Sequence, residues 1–284
     1  VNITTPTPYT WFHVGSYNAN SHSVAFDGNL AYLAASGLKI VNVSNPSSPI
    51  LTGSLTFSSS PYEPHPYSIV VLGNRAYIND YHYGLRIADI SNPTSPSLVG
   101  QLSIDPYNSV NLSVSDNYAY LATAFGLRII DISAETSPIL AASYTTTINA
   151  TGNASDVAIN GHYAYITVPI DAYSINSGLE VVDISNPAAP VHIANYLAPS
   201  TMGIMGKVLI RNNYAYLVGE FGLQIINIST PSSPVLVGSY ISSDNLSLKS
   251  IALNGNYAYI AGDKGLRVFD ISNLSSPSLL AAYD

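Results

Sequence analysis

One short strand pattern recurs seven times in this 284-residue chain, while the longer unit around it recurs only six times. In its fullest form the strand runs Pro-Val-Leu-Val-Gly-Ser-Tyr, from Pro234 to Tyr240. The same spacing appears at Pro49–Leu55, Pro96–Leu102, Pro138–Tyr144, Pro190–Tyr196 and Pro277–Tyr283. The seventh copy, Trp11–Tyr17, has Trp in place of Pro and precedes every complete unit. Such a repeat limits the fold before any single residue does, because each unit must bury its apolar faces against its neighbours.

A second motif, Gly-Leu-Xaa-(Ile/Val)-Xaa-(Asp/Asn)-(Ile/Val)-Ser, begins at Gly37, Gly84, Gly126, Gly178, Gly222 and Gly265, at intervals of 47, 42, 52, 44 and 43 residues. Ahead of each stands Ala-Tyr-(Leu/Ile), with tyrosines Tyr32, Tyr77, Tyr120, Tyr165, Tyr216 and Tyr259. An aliphatic residue lies eight positions before each tyrosine: Val24, Ile69, Leu112, Val157, Val208 and Ile251. Each unit therefore reads as four strands, a to d. In the first, residues 22–26 form strand a, Asp27-Gly28-Asn29 turns into strand b near 30–34, and Ser36-Gly37 turns into strand c at 38–43. Strand d follows at 49–55. β-Branched and aromatic residues fill the runs, and Gly, Asn and Pro punctuate them. No window carries a sustained helical period.

Four short antiparallel strands in 40–50 residues, apolar on both faces, is the period of a propeller blade. The expected fold is all-β: a six-bladed β-propeller of four-stranded antiparallel blades, with one surplus outer-type strand at the N-terminus. Blades are expected at approximately 22–57, 67–104, 110–146, 155–197, 206–241 and 249–283. They form one domain over 11–284, behind an extended Thr/Pro-rich tail at 1–10. The c strands GLRIADIS, GLRIIDIS, GLEVVDIS and GLRVFDIS resemble the LVIVD repeat of bacterial and archaeal surface or secreted proteins. The resemblance covers nearly the whole chain and implies the propeller, but no chemistry.

Composition narrows the function. Charged residues make up only 9% of the chain, against roughly 25% in average soluble proteins. The surface must therefore be polar through Ser, Thr, Asn and the 22 Tyr. A net charge of −8 with scattered bases offers no stripe to neutralise phosphates, so nucleic acid is not an expected partner. No apolar run is long enough to span a bilayer as a helix, so membrane insertion is not expected. Zero cysteine excludes disulfides and thiolate chemistry. Starting at Val1, the chain reads as a processed protein or a fragment. With its low charge, that leads us to expect an extracellular or cell-surface location.

No catalytic constellation, phosphate-binding loop or metal spacing is present, so no enzyme activity, cofactor or metal is expected. Asp89, Asp131, Asp183 and Asp270 would form a ring by symmetry, but Asn42 and Asn227 stand at the same position, so it cannot need an acid. Their expected work is accepting backbone hydrogen bonds in the following turn. The Ala-Tyr tyrosines are expected between sheets. His22 and His65 enter strands a and His82 sits in a b–c loop, so these three imidazoles can approach one another. Asp156 and Lys207, at the channel mouth on adjacent blades, are expected to pair. On the face carrying the d–a and b–c loops, Tyr62, His65, Tyr81, His82, Tyr83, Phe125, Tyr173 and Phe221 are the candidate ligand-binding residues, with surface glycans as the ligand class. Among the sequons, Asn2, Asn149, Asn153 and Asn245 are the candidate glycosylation sites.

The seventh strand suggests a further role. Both the N-terminal strand (Trp11, Phe12, Val14, Tyr17) and the C-terminal strand (Leu279, Tyr283) fit the outer slot of blade six. One closes or completes that blade. The other is free to reach a second copy, because an unpaired strand is a template for pairing. The expectation is a non-enzymatic protein that self-assembles, into a filament if the contact does not close.

Overall fold

The computed structural model describes residues 14–57, 62–104, 109–149, 151–169, 177–203, 205–242 and 246–283. It is a six-bladed β-propeller in which each blade is a four-stranded antiparallel sheet, strands a to d following in chain order. Blade one comprises Ser23–Asp27, Leu30–Ala35, Gly37–Asn42 and Ile50–Thr56. Blade two comprises Pro66–Leu72, Arg75–Asp80, Gly84–Asp89 and Ser97–Leu102. Blade three is Ser109–Ser115, Tyr118–Thr123, Gly126–Asp131 and Ile139–Tyr144. Blade four is Asp156–Asn160, Tyr163–Val168, Gly178–Asp183 and Val191–Leu197. Blade five is Met205–Arg211, Tyr214–Gly219, Gly222–Asn227 and Val235–Ile241. Blade six is Leu248–Asn254, Tyr257–Gly262, Gly265–Asp270 and Ser278–Tyr283. Among the described residues the one helical segment is a 3-10 turn, Ser200–Met202, and no helix is long and apolar enough to cross a membrane.

Local chemistry repeats with the sequence. Each a–b hairpin turns on a residue with positive φ: Gly28, Gly73, Gly161 and Gly255, with Asp116 and Asn212 in blades three and five. These residue types tolerate the left-handed conformation that a tight hairpin needs. Strand c ends on the Asp/Asn position, whose side-chain oxygen accepts the backbone N–H two residues on. The distance is 2.9 Å from Ser44 to Asn42 and from Ser229 to Asn227, and 2.8 Å at Asp89, Asp131, Asp183 and Asp270. Asn and Asp therefore do the same work. Those hydrogen bonds also hold the four carboxyls below the usual Asp range. Every c–d pair then carries a bulge at one register position, placing Val99, Ala141, Ile193 and Val237 on the side of the next junction.

Five apolar clusters bind the blades in sequence, one to two through five to six. Each joins the Ala-Tyr face of one blade to the aliphatic strand-a face of the next. Tyr32, Tyr77, Tyr120, Tyr165 and Tyr216 are buried there, and burial pushes the phenols of Tyr120 and Tyr165 up to about 12. Among the described residues no such cluster joins blade six to blade one. Tyr259 is only half-buried, and Ala261 and Leu280 are exposed. On the opposing face Val24 is 48% exposed, although its counterparts Ile69, Leu112, Val157 and Val208 are buried. Phe26 is 64% exposed, whereas its counterparts Val71, Val114, Ile159, Ile210 and Leu253 pack into the five clusters.

The two competing strands explain this junction. Ser278–Tyr283 pairs with strand c of blade six, so the C-terminal strand completes that blade. Residues 14–17 belong to no ladder among the described residues. They lie instead in a place that repeats around the ring. A Cβ on Gly53, Gly100 or Gly238 would sit about 2 Å from the carbonyl oxygen of Pro93, Glu135 or Leu274 in the next blade's c–d turn. Gly15 meets Pro46 of blade one in the same way, at 2.1 Å. The N-terminal segment thus takes the outer-strand place beside blade one, and Ala281 of blade six cannot occupy it. Trp11 and Phe12 lie outside the described residues.

Three substitutions test these local rules. Asp131→Asn should leave stability within about 0.5 kcal/mol, while Asp131→Ala should lose about 1 kcal/mol, measured by urea unfolding. Equal losses would mean that the charge, not the acceptor, matters. Gly238→Val should cost about 1–3 kcal/mol by forcing the Leu274 turn outward.

Candidate functional site

The loop face between blades one and two holds a continuous set of aromatic rings. His22 precedes strand a of blade one, and Tyr67 holds the equivalent position in blade two, so the repeat itself lays them side by side. Their rings stack at 4.9 Å, and His65 packs on both, at 4.8 Å from His22 and 5.3 Å from Tyr67. Tyr81 approaches Tyr67 at 5.4 Å, and His82 lies 5.9 Å from His65 and 5.3 Å from Tyr81 and Tyr62. Tyr83 meets His82 edge-on at 6.4 Å.

A polar clamp fixes these rings. Asp80, at the end of strand b, accepts the backbone N–H groups of His65 at 3.3 Å and His82 at 3.0 Å. Its other oxygen is 3.3 Å from Arg86 Nε, and both side chains are buried. The Arg86 guanidinium lies between the rings of Phe57 and Tyr83, 4.5 Å from each centroid. Tyr83 Oη donates to the Tyr62 carbonyl at 2.7 Å, and His82 Nδ1 bonds the Glu63 carbonyl oxygen at 2.8 Å. The d–a connection is thereby tied to the b–c turn.

Desolvation, and then the nearby His22 and His82 imidazoles, lower the His65 pKa, with Asp80 opposing them. A lowered folded pKa means that the unfolded chain takes up the proton first. Stability from His65 is therefore complete above about pH 6.5 and is lost as pH falls below it.

The central channel holds an open cavity of ≈ 370 Å³ lined by Asn111, Asp156, Lys207 and Ser250 beside aliphatic residues. Asp156 accepts the Val208 N–H at 2.9 Å and lies 3.8 Å from Lys207 Nζ, so the expected pair forms. Burial dominates its surroundings and raises the carboxyl's pKa despite the lysine.

Of the sequence candidates, Tyr62, His65, Tyr81, His82 and Tyr83 converge in the ring cluster. Phe125 is exposed in the b–c turn of blade three, and Phe221 stands in that of blade five. Tyr173, Asn2 and Asn245 lie outside the described residues. Asn149 is buried, and its amide donates to Asn153 Oδ1 and to the Pro169 carbonyl. A glycan on Asn149 would replace one of these two N–H donors and break its bond. Val14 and Tyr283 are exposed and Tyr17 is half-buried. Leu279 faces outward like Leu51, Leu98 and Leu236 of other blades, so its exposure is a property of the repeat. Sequence reasoning missed Phe57, Tyr67, Asp80 and Arg86. The aromatic run 81–83 beside Asp80 was the available signal. Among the described residues, no group of three His, Cys, Asp or Glu side chains is arranged to hold a metal ion.

Fold and site together define a repeat-built β-propeller with a ring-lined loop face. The LVIVD repeat model matches six times, at residues 19–56, 66–103, 108–146, 151–198, 202–242 and 247–284, and the chain belongs to that family. Among curated proteins, none matches the sequence. Solved structures share the fold at low identity. A protein of unknown function from Desulfotomaculum acetoxidans is 10% identical with a TM-score of 0.69, over 94% of this chain and 91% of that one. The periplasmic gluconolactonase PpgL of Pseudomonas aeruginosa is 12% identical with a TM-score of 0.69, over 94% and 90%. BamB from Moraxella catarrhalis is 14% identical with a TM-score of 0.58, over 94% and 76%. At such identities the likeness shows the fold alone.

Three variants probe the clamp and the rings it holds. Arg86→Met strands a buried carboxylate and should cost about 3–5 kcal/mol. Combining it with Asp80→Asn should recover part of that loss, because the pair is desolvated together. His65→Gln should flatten the fall in melting temperature between about pH 7 and 5; an unchanged slope would place the titrating group elsewhere.

Proposed function

We propose that this chain is a non-enzymatic interaction propeller, exported to the cell exterior or surface, which self-associates. The observation that carries the reading is the unfilled junction between blades six and one. Phe26 and Val24 are exposed on one side, with Tyr257, Leu280 and Tyr283 on the other. The two faces are of the same two kinds that mate at every internal junction, so they complement one another between copies. They are unlike faces, so the contact is head-to-tail and extends into a filament unless its rotation closes a ring. Because Ser278–Tyr283 fills the outer slot of blade six, association by faces fits better than donation of a strand into that slot. Location outside the cell rests on the low charge and the polar Tyr-, Ser- and Thr-rich composition.

Light scattering and sedimentation of the full chain test this. Mass should rise with concentration, and Phe26→Asp should weaken association by about tenfold or more, as expected when a charge enters an apolar contact. Deleting residues 1–17 should free the outer place beside blade one, let blade six close on it and yield a monomer with a higher melting temperature. Wild-type chain that stays monomeric at high concentration would sink the reading.

A further inference from the structure

The ring cluster on blades one and two has a feature that internal packing does not require. At the ends of strand b the other blades carry Ala35, Thr123, Val168, Gly219 and Gly262, all uncharged; only blade two has an acid, Asp80. Its partner Arg86 is buried with it. Buried ion pairs seldom add stability over apolar packing, because desolvating both charges offsets their attraction. This one holds surface rings in place. Tyr62 is 46% exposed, and His65, Tyr81 and His82 are half-buried, on segments fixed by Asp80 and Tyr83; His22 is exposed, and its backbone N–H is held by the Ala34 carbonyl at 3.0 Å. Rigid rings at a surface are what a ligand finds when binding does not have to order its site first.

We propose that this platform binds neutral saccharide chains, with Tyr62 and His22 as the exposed rings that receive the sugar. The beside-lying pocket is small, ≈ 100 Å³, and is lined by Asn20, His22, Ser36, Pro64 and His65 among others. Pockets for whole small molecules run from roughly 300 Å³ upward. This one accepts a substituent of a sugar ring, while the ring itself lies across the surface. Aromatic faces meet the apolar C–H faces of sugars, and phenol, imidazole, amide and hydroxyl groups at the rim both donate and accept, as sugar hydroxyls require. Charge selects among saccharides. The buried cation is already paired with Asp80, and Glu63 is an exposed acid whose backbone carbonyl is held by His82 on the platform. A uronate or sulfated chain would meet that acid, and the Arg86 guanidinium beneath the rings is already engaged by Asp80. The platform and the open junction use different residues, so each proposal stands without the other.

Calorimetric titration of the full chain with mannohexaose, cellohexaose and chitohexaose near neutral pH, with an oligogalacturonate beside them, tests the inference. At least one neutral oligomer should bind, and the oligogalacturonate should bind more weakly. Tyr62→Ala and His22→Ala should each weaken binding by about tenfold, the loss expected for one ring contact. Phe125→Ala, an equally exposed ring on blade three, should change nothing. Both platform variants alter exposed side chains, and an unchanged melting temperature confirms that they fold. The proposal is overturned if no neutral oligomer binds, if the uronate binds best, or if binding survives both platform substitutions.

Discussion

Face-to-face packing between successive sheets is the constraint on which this structure depends. A four-stranded blade with apolar residues on both faces is not stable alone; it needs a neighbour on each side. The repeated residues that face the junctions can be understood from that need. The Ala-Tyr tyrosine fills one side of each junction, the strand-a aliphatic fills the other, and the strand-d bulge residue reaches across. Gly or Ala in strand d lets the next blade's turn come close. Blades one and six show what happens when one neighbour is missing, since the same residue types become exposed there.

The repeat made most of the fold legible. Strand boundaries, the blade count, the role of Asp and Asn after strand c and the burial of the Ala-Tyr tyrosines all follow from side chains acting on near neighbours. The outcome at the seventh strand did not, because Trp11–Tyr17 and Pro277–Tyr283 carry the same pattern. Chain connectivity separates them. Strand d of blade six is joined to strand c by a short turn, while the N-terminal strand would have to close nearly the whole chain. Before the ring forms, that difference in loop closure is about 3 kcal/mol in favour of the local hairpin. Pattern alone carries no such information.

The loop-face site was legible in part for a similar reason. His22, His65 and His82 could be brought together from strand positions, because a residue entering strand a must lie near its counterpart on the next blade. Arg86 could not be singled out, since Arg128 and Arg267 occupy the same motif position. What distinguishes it is burial against Asp80, Phe57 and Tyr83, contacts between segments that the repeat does not align. The equivalent position in blade four shows the same freedom. There Glu180 is buried and bonded by Tyr144, which ends strand d of the preceding blade, and by the Thr147 backbone. The repeat fixes the site; each junction fills it differently.

The turn after strand c bears on how the molecule ages. Asn42, exposed, and Asn227, half-buried, end strand c at the start of a turn, and asparagine side chains slowly hydrolyse to aspartate over a protein's lifetime. In most proteins that change puts a new charge where the structure did not expect one. Here simple hydrolysis to aspartate produces the residue that four of the six turns already carry, with the same oxygen accepting the same N–H. A propeller of this kind is indifferent to that damage at two of its own turns.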